Sequence, residues 1–288
     1  MKKAGILARL LPLLIPFALL FVGGIVFALL QAFGLAVPVE SGKPGFSAFI
    51  EALSSAWFYR SFGYSIYIGF TSAVISVTGG TALAYFLWQL PVTRQKSGLI
   101  TRIPLILPHI AVGFLVLLFF SQSGFFSSLA FHIGLIDSPA EFPSLVYNKS
   151  GGGILMAYVY KEIPFVVIMV FAILKRFNRD IICAASMLGA GGRRIFFRLI
   201  FPHIYPVVST TFIILFLFSF GAFDIPFIIG TSSPEMLSVH VFNVYFKRDL
   251  SLRPYAMAML VLMLLFSLSI TWLYSRIIRK IDMTYRSV

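Results

Sequence analysis

Residues 180–206 read DIICAASMLGAGGRRIFFRLIFPHIYP, and they separate two apolar runs that are each long enough to cross a bilayer. A connection between membrane spans is ordinarily short or plainly polar, and this one is neither. Ala184, Ala185, Met187, Leu188, Ile195, Phe196, Leu199 and Ile200 give it apolar content at helical spacing, while Arg193, Arg194 and Arg198 mark it as a cytosolic segment. Gly189, Gly191 and Gly192 interrupt the pattern. The expected structure over about 178–203 is therefore a short helix, a glycine corner and a second helix running toward Pro202, where the next span starts. A helical hairpin with apolar residues outside the bilayer needs something to bury them, either its own bundle or a soluble partner.

Composition sets the class. Of 288 residues, 59% are hydrophobic and only 11% charged, which excludes an ordinary soluble domain. The net charge of +13 raises the question of nucleic acid. The basic residues are instead scattered at the ends of apolar runs and form no contiguous basic face, which argues against that class. Cys183 is the single cysteine, so there is no internal disulfide, and no Cys/His spacing suggests a metal.

Outward from the hairpin, the chain reads as an all-α membrane protein, a single transmembrane domain over residues 1–288 with six spans. They lie at about 7–33, 62–90, 103–122, 153–174, 204–229 and 255–277, each reaching the ~20 apolar residues a bilayer requires. The first resembles a signal peptide at its front but is too long for one, so it is expected to remain as a helix. The second carries Gly69, Ser72, Ser76, Gly79 and Gly80, which suits close helix packing. With the N-terminus inside, the inner segments hold 16 of the 23 Lys and Arg residues. The outer segments hold Lys43, Arg60, Lys149, Lys247, Arg248 and Arg253 beside most of the acids. That asymmetry places both termini and the hairpin in the cytosol. Among the outer loops, a short helix is expected over Ala48–Trp57, an irregular cap over 123–152 with Pro139 and Pro143, and an amphipathic helix near Val239–Phe246.

Charges inside the spans mark candidate sites. Lys161 and Glu162 sit about nine residues into the fourth span, roughly 13 Å deep. As chain neighbours they point about 100° apart and do not pair along one helix face. The Tyr158 hydroxyl is placed to reach either, and Pro164 removes a helix hydrogen bond, so the cluster reads as a polar break facing a translocation path. The competing reading is a buried interhelical ion pair that only fixes bundle geometry. Asp224 lies near the outer end of the fifth span, where Pro226 produces a kink; it lines a vestibule or reaches a partner helix. In the third span Pro108 is a further break, and His109 beside it reads as structural.

The hairpin resembles the EAA loop of permease subunits in binding-protein-dependent ABC importers of the type I class. That loop follows E-A-A, three residues, G, nine residues, I-x-L-P. Here Cys183-Ala184-Ala185, Gly189 and Leu199-Ile200-Phe201-Pro202 keep the alanine pair, the glycine and the proline, with Cys183 in place of the acid. The segments IPLILPH at 103–109, SFGAFDIP at 219–226 and RPYAMAM at 253–259 are similar to the polyamine, ferric-iron, thiamine and sulfate groups of that family. The resemblance implies a multi-pass bacterial inner-membrane permease that is not itself an enzyme. Its hairpin docks through Ala184–Gly189 into a separate ATPase, and transport proceeds by alternating access. It also implies two ATPase subunits carrying ATP and Mg, a second permease (a sister or an identical copy) and an extracytoplasmic substrate-binding protein, with no cofactor on this chain. Consistent with a separate ATPase, no G-x-x-x-x-G-K-[ST] phosphate loop occurs here. The rival class is a secondary transporter using Lys161, Glu162 and Asp224 as an ion or proton relay. Such proteins commonly carry a repeat across halves, and none is visible here.

Overall fold

The computed structural model describes residues 2–36, 45–91, 103–247 and 249–286, with side chains left undescribed for 2–9 and 279–286. Lys43 and Arg248, used above to read the loops, lie outside the described residues, as do Arg94, Lys96 and Arg102 among the inner basic residues. Among the described residues the regular elements are helical, and six helical stretches are long and apolar enough to cross a membrane. These are Leu10–Ala32, Ala56–Gln89, His109–His132, Gly152–Leu174, Gly192–Gly221 and Leu250–Ile278. A bilayer leaves no water for backbone groups, so helices that satisfy their own hydrogen bonds are the expected outcome.

Several boundaries differ from the sequence reading, and each difference has a local cause. The second helix starts at Ala56, after Ser55 (ψ 120°) ends the short Ser47–Ser54 helix. The third run is interrupted at Leu107–Pro108, where Pro108 adopts ψ 147° and starts the helix His109–Phe120. The loop expected to be irregular contains the helix Phe125–His132. Pro164 does not break its helix: Gly152–Leu174 runs on through it. One proline costs a single hydrogen bond, and the buried Val166, Val167 and Val170 hold that helix in place. Pro202 does not start the fifth span either. A π-turn over Phe196–Ile200 carries the hairpin's second arm directly into Phe201–Gly221. The wider turn contains Arg198, whose carbonyl the Pro202 ring would otherwise crowd.

The described residues fall into two compact units. Unit one comprises Met1–Phe62 and Leu237–Ile270. Its core joins Ala52, Phe58, Leu237, Val241, Val244, Ala256 and Met259, and a smaller cluster joins Ala32, Ala48, Ala258 and Val261. The helix Leu237–Tyr245 contributes Leu237, Val241 and Val244 to this core, which accounts for its amphipathic pattern.

Unit two, Gly63–Met236 with Thr271–Val288, is organised by close helix approach. A Cβ at Gly69 would lie 3.0 Å from the Phe220 nitrogen and 3.1 Å from the Phe216 carbonyl. At Gly80 it would lie 2.5 Å from the Val166 Cβ. The small residues seen in the sequence thus let the second helix press against the fourth and fifth. Gly79 is different: a Cβ there would make an ordinary 3.6 Å contact with Ile163. Gly80→Val should therefore cost about 1–3 kcal/mol through overpacking, read as a fall of several degrees in the thermal midpoint of the full chain in lipid nanodiscs. Gly79→Ala should leave that midpoint unchanged or slightly raised; equal losses at both positions would contradict the packing.

Candidate functional site

Glu162 occupies the interior of unit two, 3% exposed, on the face of its helix toward the second and fifth helices. Three hydroxyls donate to it: Ser72 at 3.4 Å and Ser219 at 2.5 Å to Oε1, and Ser76 at 2.6 Å to Oε2. Ser72 and Ser76 are one helical turn apart, so both reach the same carboxyl group. Among the described residues no cation forms an ion pair with Glu162. An unpaired acid at this depth would cost roughly 2.5–3.5 kcal/mol on insertion scales, and hydroxyl donors are what the fold supplies in place of a counter-charge. The serines read in the sequence only as small packing residues. Their spacing of four on one helix was the available signal, but nothing local indicated a partner 86 residues away.

Lys161 turns the other way. Its Nζ donates to the carbonyl of Leu107, the group left free where Pro108 interrupts the third run. The proline break and the intramembrane lysine, read separately in the sequence, are thus two halves of one contact. Lys161 and Glu162 both line a cavity of about 230 Å³ with His109, Tyr158 and apolar residues including Phe165 and Phe218. The Tyr158 hydroxyl reaches neither charge. It is buried, with no hydrogen-bond partner among the described residues, because the Glu162 oxygens are turned toward the serines and the Lys161 amine toward Leu107. His109, expected to be merely structural, borders the cavity with its ring 5.1 Å from that of Phe218.

Asp224 is not part of a kinked fifth helix. Ala222 (ψ 144°) ends the long helix, and Asp224 opens a separate one, Asp224–Ile229, where it is exposed. Pro226 lies in the first turn of this helix, where a missing N–H has no intrahelical acceptor to lose, so the break precedes the proline. The short helix packs on His109–Phe120, with Ile225 and Ile228 against Gly113. Asp224 comes within electrostatic reach of His109 and Tyr158 without lining the cavity.

The hairpin forms a second candidate site. The helix Asp180–Met187 ends in a Schellman turn, in which the Ala190 amide donates to the Ala185 carbonyl and the Gly189 amide to the Ser186 carbonyl. Gly189 has φ 78°, which favours glycine. The turn leaves Met187 and Leu188 each 89% exposed. Cys183, Ala184 and Arg193 are exposed as well, and Ala185 is half-buried. The hairpin base is anchored: the Arg179 guanidinium donates to the Trp88 carbonyl at 2.7 Å and lies 4.8 Å from that ring's centroid. Phe196 meets Tyr85 edge-on at 4.8 Å. Between base and second helix is a cavity of about 360 Å³, bordered by Trp88, Arg179 and Cys183 among others. An anchored base and a bare apolar tip are the properties of a docking element.

Residues 76–283 match the family of binding-protein-dependent transport system inner membrane components. A relative from Yersinia pestis, the maltose/maltodextrin transport system permease protein MalF, is 29% identical over 67% of this chain and 38% of its own length. The molybdenum transport system permease protein ModB of Azotobacter vinelandii is 28% identical over 60% of this chain and 74% of its own. The chain thus spans well under half of the first relative and about three quarters of the second. A solved bacterial ABC transporter involved in the import of the acidic polysaccharide alginate has a chain of the same fold. That likeness has a TM-score of 0.80 at 19% identity and covers 97% of this chain and 96% of that one. The MetNI methionine ABC transporter shares the fold less fully, with a TM-score of 0.56, 15% identity and coverage of 77% and 94%. With six membrane-length helices and a family match over most of its length, the chain belongs to the binding-protein-dependent transport system inner membrane components and is a multi-pass inner-membrane protein.

Proposed function

We propose that this chain is the membrane-spanning subunit of an ATP-driven importer, forming half of a solute path and coupling it to separate ATPase subunits. The observation that carries the reading is the anchored hairpin whose tip, Met187–Leu188–Gly189, projects apolar side chains into solvent. Water-exposed side chains of that size are costly to leave bare, and burying one in a partner's cleft is worth about 1.5–3 kcal/mol. The partners are two ATPases holding ATP and Mg, a second permease (a sister or an identical copy) and an outer substrate-binding protein. This chain binds no cofactor of its own. Family membership favours the importer over an ion-coupled secondary transporter.

Both termini and the hairpin are assigned to the cytosol by the arginine and lysine distribution. ATP-driven closure of the ATPases draws the two hairpins together. Each transmits the movement through the Arg179–Trp88 anchor and through its second arm, which runs without interruption into the fifth span. The path runs beside Tyr158, Lys161 and Glu162, with Asp224 toward its outer end. Pro108 supplies the break that opens the Leu107 carbonyl to it.

Two measurements test this. Gly189→Val forces a β-branched residue into the left-handed region at about 1–2 kcal/mol, and Leu188→Ser removes the tip's apolar contact. Each should leave membrane insertion intact while lowering ATPase recovered by co-purification about tenfold, the equivalent of 1.4 kcal/mol. Wild-type recovery in both variants would contradict the docking role. Cys183 is the only cysteine and is exposed, so a membrane-impermeant maleimide reports the side directly. Labelling is expected in inside-out vesicles and not in right-side-out ones; the reverse would overturn the topology.

A further inference from the structure

Lys161 and Glu162 are neighbours of opposite charge, yet the fold treats them unequally. Both Glu162 oxygens accept hydroxyl hydrogen bonds, so its acceptor capacity is largely taken up by the protein. Lys161 gives one of its three N–H donors to Leu107 and, among the described residues, has no carboxylate partner. Tyr158, 1% exposed, borders the same cavity, but its partnerless hydroxyl oxygen is enclosed by the protein. The remaining wall is mostly apolar, from Leu105, Phe165, Phe218 and their neighbours. Asp224 is exposed, outside the lining residues, and forms no ion pair with Lys161.

The two unused ammonium donors of Lys161, beside a space that offers little free acceptor, are the complement of an anionic oxygen. An ammonium in the bilayer interior whose neighbouring carboxylate is already engaged by three hydroxyls favours a ligand that brings an acceptor of its own. The volume of about 230 Å³ is several times the share of one liquid water molecule, about 30 Å³, and admits a small solute or the charged end of a longer one. We propose, resting on the importer reading above, that this cavity receives an anionic group of the transported solute, a carboxylate or small oxyanion. The Lys161 ammonium holds it, and the serines keep the Glu162 oxygens occupied.

The test uses vesicles containing the complete importer with its own ATPase and binding protein. Radiolabelled sulfate, molybdate and succinate are compared with putrescine and maltose as probes. The expected result is ATP-driven accumulation of an anionic probe that falls about tenfold in Lys161→Met and returns to within about threefold of wild type in Lys161→Arg. Recovery of the intact complex for each variant separates lost binding from lost folding. ATP-driven uptake of putrescine or maltose and of no anion overturns the anionic class but leaves the importer standing. Equal anion uptake in Lys161→Met and wild type overturns the assignment to this cavity. Uptake that follows a proton gradient without ATP overturns the importer reading itself.

Discussion

The carboxyl group of Glu162, held by Ser72 and Ser76 from one helix and Ser219 from another, ties together three helices of unit two at membrane depth. In water such bonds would be individually minor, since each exchanges with solvent partners. Inside the bilayer there is nothing to exchange with. The carboxyl group must find donors within the protein, and the helices that supply them must lie close enough to do so. Gly69 and Gly80 make that approach possible, because at either position a Cβ would meet a neighbouring helix. Packing and polar satisfaction here are one constraint met twice, once by removing side-chain volume and once by placing hydroxyls.

The same economy appears at Lys161. A break in the third helical run would ordinarily leave a backbone carbonyl unsatisfied within the membrane. The Leu107 carbonyl is instead met by the lysine, so an irregular backbone and a buried charge offset one another. At the hairpin the logic inverts. Arg179, Trp88 and Phe196 fix the base, while the tip carries largely exposed apolar groups. A rigid base and a bare tip suit an element meant to pass movement along in the proposed importer.

Much of this was legible in the sequence because membranes impose simple rules. Run length and apolarity gave six spans, and Gly189 announced the corner where φ is positive. The Pro108 break was visible for the same reason, since proline cannot supply a donor. What the sequence hid was pairing at a distance. Glu162 finds Ser72 across 90 residues and Lys161 finds Leu107 across 54, separations that no local pattern encodes. The sequence therefore steered Tyr158 toward its helical neighbours, whereas both charges look elsewhere. Proline was also overread. Pro164 sits within an uninterrupted helix because one lost hydrogen bond is small beside the packing around it, and a π-turn absorbs Pro202.

The serine–carboxyl tie is tested most directly by a mutant cycle on thermal unfolding of the full chain in lipid nanodiscs. It compares Glu162→Ala, the triple Ser72/Ser76/Ser219→Ala variant, and their combination. Removing only the serines strands a buried acid, whereas removing both sides strands nothing. The account predicts that the combined variant unfolds at a higher temperature than the triple-serine variant. A combined loss equal to the sum of the two separate losses would mean that these groups do not act together, and would contradict it.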